Sequence, residues 1–356
     1  MELKKQNILF FSRSTQHGGT ENVILQLCEI FFPLVNKIVV MSAEGFSTET
    51  LKKYGIRHVC IPDIESKSLT TITAVSKILR KVVEEEHITV IHTHHRMAAF
   101  YVRITGLYRY CRFINTSHNT FTNKKNLTRF AYKKAFLIAC GDMVKKNLND
   151  VFGLKDVTVI HNAVKPFIGE IVIDEKLQNG RKDGKYLIGN VGRLSEQKGM
   201  EYYIQAIPIV IKKYPEAQFY IIGSGEDEEK LKEMSSGLPV EFLGYRTDIQ
   251  NLMSQLDLIV LSSLWEGLPL TPIEAFSVGK TIVATGVDGT LEIVKNKENG
   301  LLVKAKDVEG LANRINWMIA HPDEKKKMEV KAKETFGNEF SFDILAKAYI
   351  DYYRSL

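Results

Sequence analysis

The sequence lacks any apolar run long enough to cross a membrane: the longest, Leu256–Leu264 and Ile207–Ile211, fall well short of the roughly 20 residues a spanning helix requires. Its start, MELKKQN, is polar and does not read as a signal peptide, so the expected location is the cytoplasm. Cysteine is scarce and unpatterned. Cys28, Cys60, Cys111 and Cys140 lie far apart with no CxxC spacing, which argues against a disulfide framework or a zinc site and makes all four reduced core thiols. No zinc spacing, RNP aromatic signature or recognition-helix pair is present, so nucleic acid is not an expected partner. An intact Gly-x-Gly-x-x-Gly is missing as well, which tells against a nicotinamide enzyme.

What is present is enough for two ordinary domains, 356 residues with 44% hydrophobic content. The net charge of +6 conceals an asymmetry. Residues 1–165 hold 24 Lys and Arg against 13 Asp and Glu, net +11, whereas residues 166–356 hold 24 against 29, net −5. A basic half of this kind suits a lipid headgroup or a phosphorylated substrate.

Short apolar runs alternate with helix-period stretches such as Leu69–Glu86, where apolar residues recur every three or four positions. In the first half the runs are Asn7–Phe11, Lys37–Met41, His58–Ile61, Thr89–His92, Phe113–Ser117, Phe136–Ala139 and Val157–Ile160. A polar, Gly-containing stretch, His161 to Lys185, then interrupts the pattern and reads as a connection. The pattern restarts with Tyr186–Val191, Gln218–Ile222, Val240–Leu243, Leu258–Leu261, Thr281–Ala284 and Gly300–Val303. Strand, helix, strand repeated this way predicts an α/β protein of two doubly wound parallel sheets, with ligand expected beyond the carboxyl ends of the strands, in the cleft between domains.

Five motifs fall at such strand ends. "SLWEGLPLTPIEAF" carries Glu266 and Glu274. Thr271 reads as an N-cap with Pro272 first in the helix, so Glu274 fits a capping box; a helix start beside a carboxylate also suits a nucleotide sugar's phosphate and hydroxyls. "GNVGRLSEQKG" offers Arg193 and Lys198 as fixed cations beside Gly192 and Gly199, either solvated or placed over a diphosphate. "YIIGSGEDEEKL" brings Gly223 and Gly225 to a turn whose following acids, Glu226 to Glu229, would repel a pyrophosphate. "STQHGGTENV" places Gly18 and Gly19 before the first helix, as a simple turn or as a small-residue floor for phosphate or acceptor. His92, His94 and His95 end one strand and His118 another. His92 and His94 share a face, yet no carboxylate or cysteine is spaced to complete a metal shell. His118, among small polar residues, is the candidate for bonding substrate.

In this order the five elements resemble the retaining GT-B glycosyltransferases of family 4, over nearly the whole chain. Glu266 and Glu274 meet the E-x7-E pattern; Gly-Gly near the first helix, Gly-Arg-Leu…Lys-Gly in the second half and an Asn after "TVIHN" accompany it. The resemblance implies two facing Rossmann-like domains: 1–165 binding acceptor, a linker at 166–184, 185–339 binding the nucleotide sugar, and 340–356 as a helix returning to the first domain. It implies that Arg193 and Lys198 hold the donor diphosphate and assist its departure. Glu274 would bind the ribose hydroxyls, and Glu266 with the amides of Gly267 and Leu268 would face the transferred sugar. His118 would lie near that sugar's C6 hydroxyl, while Tyr245 and Arg246 would clamp the base through backbone contacts. Gly18, Gly19, Gly192, Gly223 and Asn162 complete the donor-binding set; after Asn162 the family commonly has Gly and, later, Asp, where this chain has Ala163 and Lys165.

The expected reaction is transfer of a hexose or N-acetylhexosamine, with retention, from a UDP-sugar to a hydroxyl of a lipid-linked or cell-surface polysaccharide precursor. The leaving diphosphate would take the acceptor's proton and no metal cofactor would be needed. Lys124, Lys125, Arg129, Lys133 and Lys134 with Leu127, Phe130 and Tyr132, and Arg103, Arg109 and Arg112 with Tyr101, Tyr108 and Tyr110, form basic-aromatic stretches suited to an anionic membrane on the inner face of the cell membrane. A non-hydrolysing UDP-sugar epimerase and a non-catalytic partner subunit are the alternatives. The first would need an acid/base pair that cannot be nominated, and the second would have no use for Glu266, Glu274, Arg193 and Lys198 together.

Overall fold

Every apolar run becomes a strand in the computed structural model, which describes residues 1–13, 19–43, 48–66 and 68–356. Two compact units result, Met1–Asn162 with Leu345–Leu356, and Ala163–Ile344. The first holds β1 (Asn7–Phe11), β2 (Lys37–Ser42), β3 (Arg57–Cys60), β4 (Val90–Thr93), β5 (Arg112–Ser117), β6 (Phe136–Ala139) and β7 (Val157–Val159). They pair in parallel in the order β3-β2-β1-β4-β5-β6-β7. Strand order reverses between β1 and β4, where Phe11 lies opposite Thr93. Helices cover both faces, so β1 is buried at every position and reads as a continuous apolar run rather than an alternating one. Helix Leu69–Glu85 shows how the sequence fixes the cover. The Ser68 side chain caps it by accepting from the Thr71 N–H, and Val75, Leu79 and Val82 bury one stripe.

The first unit is closed by the last helix, Phe342–Ser355, from Leu345 onward. Leu345, Tyr349 and Tyr353, spaced four apart, form its buried stripe. Tyr353 packs on Phe31 with ring centroids 4.4 Å apart.

The second unit holds β8 (Tyr186–Val191), β9 (Ala217–Ile222), β10 (Val240–Gly244), β11 (Leu258–Leu261), β12 (Ile282–Thr285) and β13 (Gly300–Val303), all parallel, ordered β10-β9-β8-β11-β12-β13. Here the reversal falls between β8 and β11. Tyr203, on helix Met200–Lys213, lies in the core against Phe219 and donates its hydroxyl to the Ile188 carbonyl at 2.9 Å, so a large ring is buried with its polar tip satisfied.

Two expectations need correction. The stretch taken for an irregular connection contains a helix, Glu175–Lys182, because Asp174 caps it, its acid and bases match the helix dipole and Leu177 anchors it in the core. Of the four cysteines, Cys28, Cys111 and Cys140 are buried, but Cys60, last in β3, is exposed. Among the described residues no helix is long and apolar enough to cross a membrane.

Candidate active site

In the second unit, close backbone approaches assemble the strand-end loops. A Cβ on Gly199 would lie 2.4 Å from the Ser262 carbonyl oxygen, and Gly199 has φ +55, so only glycine lets the loop after β8 touch the loop after β11. Leu264 N–H donates to the Gln197 carbonyl at 2.8 Å, and the Ser262 hydroxyl donates to the Lys198 carbonyl at 3.0 Å. On the other side, a Cβ on Gly223 would meet the Gly192 oxygen at 1.9 Å; the glycine serves a backbone contact between the β8 and β9 loops.

That stitching aims Lys198 at the E-x7-E loop. Its Nζ lies 2.6 Å from Glu266 Oε1, with the Glu266 side chain only 5% exposed. Ser263 donates its hydroxyl to the same oxygen at 2.6 Å. Among the described residues Glu266 Oε2 accepts no hydrogen bond, so one carboxylate oxygen is fixed and the other is left for a ligand hydroxyl. The loop's backbone is held too: Glu266 N–H donates to Asp288 at 3.0 Å, and a Cβ on Gly289 would sit 1.7 Å from the Gly267 oxygen.

Glu274 is not a capping residue. The helix is Leu270–Ser277 with Pro269 at its cap, which places Glu274 fifth rather than third. Thr271 is therefore inside the helix, donating its hydroxyl to the Val191 carbonyl at 3.3 Å. Burial pushes the Glu274 carboxyl up to about 7, opposed in part by the charge of Lys198. Lys198 thus lies within electrostatic reach of both glutamates.

The other cation behaves differently. Arg193 reaches Glu226 at 3.0 Å with its side chain 69% exposed, so the acids after Gly225 neutralise it. Arg246 is committed to the fold: it pairs with Asp174 and Asp248, each at 2.7 Å, which raises its pKa and leaves any base contact to the backbone. Tyr245 is exposed, while Gly267 and Leu268 are buried.

His118, Gly19 and Asn162 belong to the first unit, and Gly18 lies outside the described residues. Gly19 opens helix Gly19–Phe31, and Asn162 is buried at the unit's edge. His118 is not isolated, as its sequence neighbours implied. It stacks on His94 with centroids 5.3 Å apart, and His94 Nδ1 lies 3.0 Å from His118 Nε2. His92 stands behind them, its Nδ1 2.8 Å from the Tyr353 hydroxyl and its Nε2 2.8 Å from Thr116 Oγ1, with no ring nitrogen left for a metal. Burial lowers all three, His118 to about 4, so the cluster is neutral near pH 7. His95 caps helix Arg96–Thr105, its Nδ1 accepting from the Met97 N–H at 3.1 Å.

The basic-aromatic stretches are only partly surface. Tyr101 and Tyr132 are core residues, whereas Phe130 and, at 83%, Tyr110 are exposed. Arg103 lies over the Tyr108 and Phe130 rings at 4.2 and 5.1 Å.

Ser263, Asp288 and His94 were not among the expected site residues, and Glu226, expected only to repel a pyrophosphate, pairs with Arg193 instead. Ser263, second after the apolar run Leu258–Leu261, and Asp288, in the loop that follows Thr281–Ala284, are polar residues near strand ends and so had a signal; His94 entered only through the question of a metal.

Two family models match, Glycosyltransferase Family 4 over residues 17–166 and Glycosyl transferases group 1 over residues 172–335. Among the relatives, an Escherichia coli UDP-Gal:alpha-D-GlcNAc-diphosphoundecaprenol alpha-1,3-galactosyltransferase is 28% identical over 317 residues, covering 80% of each chain. A Campylobacter jejuni N,N'-diacetylbacillosaminyl-diphospho-undecaprenol alpha-1,3-N-acetylgalactosaminyltransferase is 30% identical over 65% of each chain. The match to a Methanocaldococcus jannaschii glycosyltransferase, 27% identical, takes in 63% of this chain and 60% of that relative. Among solved structures, Anabaena HepE in complex with UDP-glucose superposes with a TM-score of 0.83 at 21% identity, over 98% of this chain and 100% of that one. Two parallel-sheet Rossmann-like units, the E-x7-E loop held by Lys198 and the paired family matches converge: the chain belongs to the group 1, family 4 glycosyltransferases, with the GT-B fold.

Proposed function

We propose that this chain transfers a hexose or N-acetylhexosamine, with retention, from a UDP-sugar to a hydroxyl of a lipid-linked glycan precursor. The observation that carries the reading is Lys198, bonded to Glu266 at 2.6 Å and electrostatically coupled to Glu274. A diphosphate at these strand ends would find a half-buried cation beside it, and a pentose would find in Glu274 an acceptor for two vicinal hydroxyls. Glu266 Oε2 and the amides of Gly267 and Leu268 would receive the sugar. The two relatives named for diphosphoundecaprenol substrates support the choice of acceptor, and HepE, solved with UDP-glucose, supports the donor.

Covalent retention as in glycosidases would need a free carboxylate nucleophile with a second carboxyl about 5 Å away. Glu266 is neutralised by Lys198 and Glu274 is held by burial, so neither fits that role. In the proposed step the C1–phosphate bond breaks with its electron pair going to the diphosphate. The acceptor oxygen bonds C1 from the same face, and its proton passes to a diphosphate oxygen. Lys198 and Arg193 supply the positive charge a metal would otherwise bring, so turnover is expected to survive EDTA; loss of activity restored by manganese overturns that part.

The test is release of UDP on mixing purified protein with UDP-hexoses and a diphosphoundecaprenol-linked sugar, read beside thermal shift, which rises as RT ln(1 + [L]/Kd). Stabilisation with transfer supports the proposal; interconversion of epimers without acceptor favours an epimerase, and no UDP release from any donor favours a non-catalytic subunit. Contact with an anionic membrane is a further part of the reading, resting on exposed Phe130 under Arg103 and on exposed Tyr110, next in sequence to Arg109. Failure to bind anionic vesicles at low salt removes it.

A further inference from the structure

Nothing so far assigns a task to His94, yet its surroundings restrict what His118 can do. His94 is buried, stands between two other imidazoles and touches both: its centroid lies 4.3 Å from that of His92 and 5.3 Å from that of His118. It makes one side-chain hydrogen bond among the described residues, from Nδ1 to His118 Nε2 at 3.0 Å, while its Nε2 is buried with no partner. Both rings are neutral, so each carries one proton and one of the two facing nitrogens must hold the shared hydrogen.

Two arrangements satisfy the contact. If His118 Nε2–H donates to His94 Nδ1, the remaining proton of His94 is on Nε2, an N–H orphaned in the interior. If His94 Nδ1–H donates to His118 Nε2, the orphan is a lone pair. A buried N–H without an acceptor is the rarer and costlier of the two. The second arrangement therefore prevails, and it leaves the single proton of His118 on Nδ1.

We propose that His94 is a positioning residue that fixes His118 as an Nδ1–H hydrogen-bond donor, with Nε2 occupied, so that His118 can donate to a substrate hydroxyl or oxyanion but cannot serve as its base through Nε2. The assignment rests on the glycosyltransfer reading for its role in turnover, and it deepens that reading, because a first-unit histidine that cannot take the acceptor's proton leaves that proton to the departing diphosphate. His92 supports the arrangement from behind. Its two nitrogens are spent on Tyr353 and Thr116, so it offers His94 ring contact and no competing hydrogen bond.

The tautomer is measured directly, without substrate, on the full chain labelled with 15N-histidine, by long-range proton–nitrogen correlation at pH 7.5, the His118 signals being assigned by their loss in His118→Asn. The expected spectrum shows His118 protonated at Nδ1 and bare at Nε2; a wild-type His118 protonated at Nε2 overturns the proposal whatever the enzyme's activity. In His94→Leu the ring of His118 should move toward the Nε2–H form, while His94→Asn, whose amide nitrogen stands where Nδ1 was, should keep the Nδ1–H form. Should His94→Leu not fold, His94→Gln, with its amide at the Nε2 position, replaces it. In the transfer assay His94→Asn should stay near wild type and the Leu or Gln variant should lose on the order of tenfold in kcat, the scale of one misdirected hydrogen bond. Equal kcat in both variants, with the tautomers as expected, removes the role in turnover. No transfer by wild type with the expected spectrum removes the glycosyltransfer reading and leaves the tautomer standing.

Discussion

The two units repeat one sheet plan and diverge at the strand ends. Each reverses its strand order once, between β1 and β4 in the first and between β8 and β11 in the second, and each gathers its polar residues there. The second fills the place with ions: Lys198 on Glu266, Arg193 on Glu226, and Glu274 kept near neutrality by burial. The first fills it with uncharged rings, His118 on His94 with His92 behind. One scaffold therefore supports two electrostatic solutions. Paired charges can be reused by a diphosphate that displaces a carboxylate from a lysine, whereas neutral donors suit sugar hydroxyls, which gain little from a full charge and would be costly to match with one.

The comparison breaks most severely at Lys198. Lys198→Ala should lower UDP release about 10³-fold, roughly 4 kcal/mol of transition-state stabilisation, and also cost about 3 kcal/mol of stability by leaving Glu266 buried and unpaired. Combining Lys198→Met with Glu266→Gln should restore the melting temperature without restoring turnover, which separates the lysine's two duties. Next in size is glycine replacement. Gly223→Ala drives a Cβ to 1.9 Å from a backbone oxygen, so about 3 kcal/mol of destabilisation is expected in denaturant melts. The first unit's Gly55, with positive φ but nothing within 4 Å of its Cβ, should lose only about 1 kcal/mol to alanine.

Proton linkage should split the units in opposite directions. His118 is depressed to about 4 against an ordinary 6.5, so the unfolded chain takes up a proton that the native ring refuses, and the first unit weakens as pH falls from 6.5 toward 4. Glu274 is raised to about 7 against 4.5, so its stabilising contribution is complete below 4.5 and is lost as pH rises through 7. Glu274→Gln should therefore stabilise the protein at pH 8 by about 2 kcal/mol, less than the whole shift implies because the side chain is part-exposed, and have no such effect at pH 4.5. Hydrogen exchange in β4–β5 against β11–β12 assigns each slope to its unit. Donor affinity, in contrast, should improve as pH rises through 7, since the carboxylate accepts two hydroxyls. The smallest effect is expected at Arg193: its exposed pair with Glu226 makes Arg193→Ala change stability by less than about 0.5 kcal/mol, while calorimetry should show a donor Kd about tenfold weaker.

Where periodicity carries the information, the sequence was easy to read. All thirteen strands of the described residues lie where apolar runs stand between turn residues, with ends displaced by a residue, as in Lys37–Ser42, because hydrophobic pattern is local. Glu266, Lys198 and Glu274 were also readable, as fixed spacings at strand ends. The pairing among them was not, since Lys198 and Glu266 are 68 positions apart and only folding brings them together. The same limit applied to Arg246 and Asp174, 72 apart. The helix start at Leu270 was misjudged because Thr-Pro-x-Glu imitates a capping box while Pro269 already supplies an extended cap. His118 reads as isolated in sequence because its stacking partner, His94, lies just past the end of the adjacent strand, and a parallel neighbour is never near in sequence.

The last helix gives the first unit a peculiar timetable. Its interior is built from two segments far apart in sequence, with Tyr353 of the later one set against Phe31 and His92 of the earlier, whereas Ala163–Ile344 is one uninterrupted stretch. A ribosome therefore finishes every residue of the later unit before it delivers the tyrosines that close the earlier one, against the usual order in which the leading portion matures first. Nascent chains arrested before Leu345 should already protect the trailing portion from protease and leave the leading one open to it.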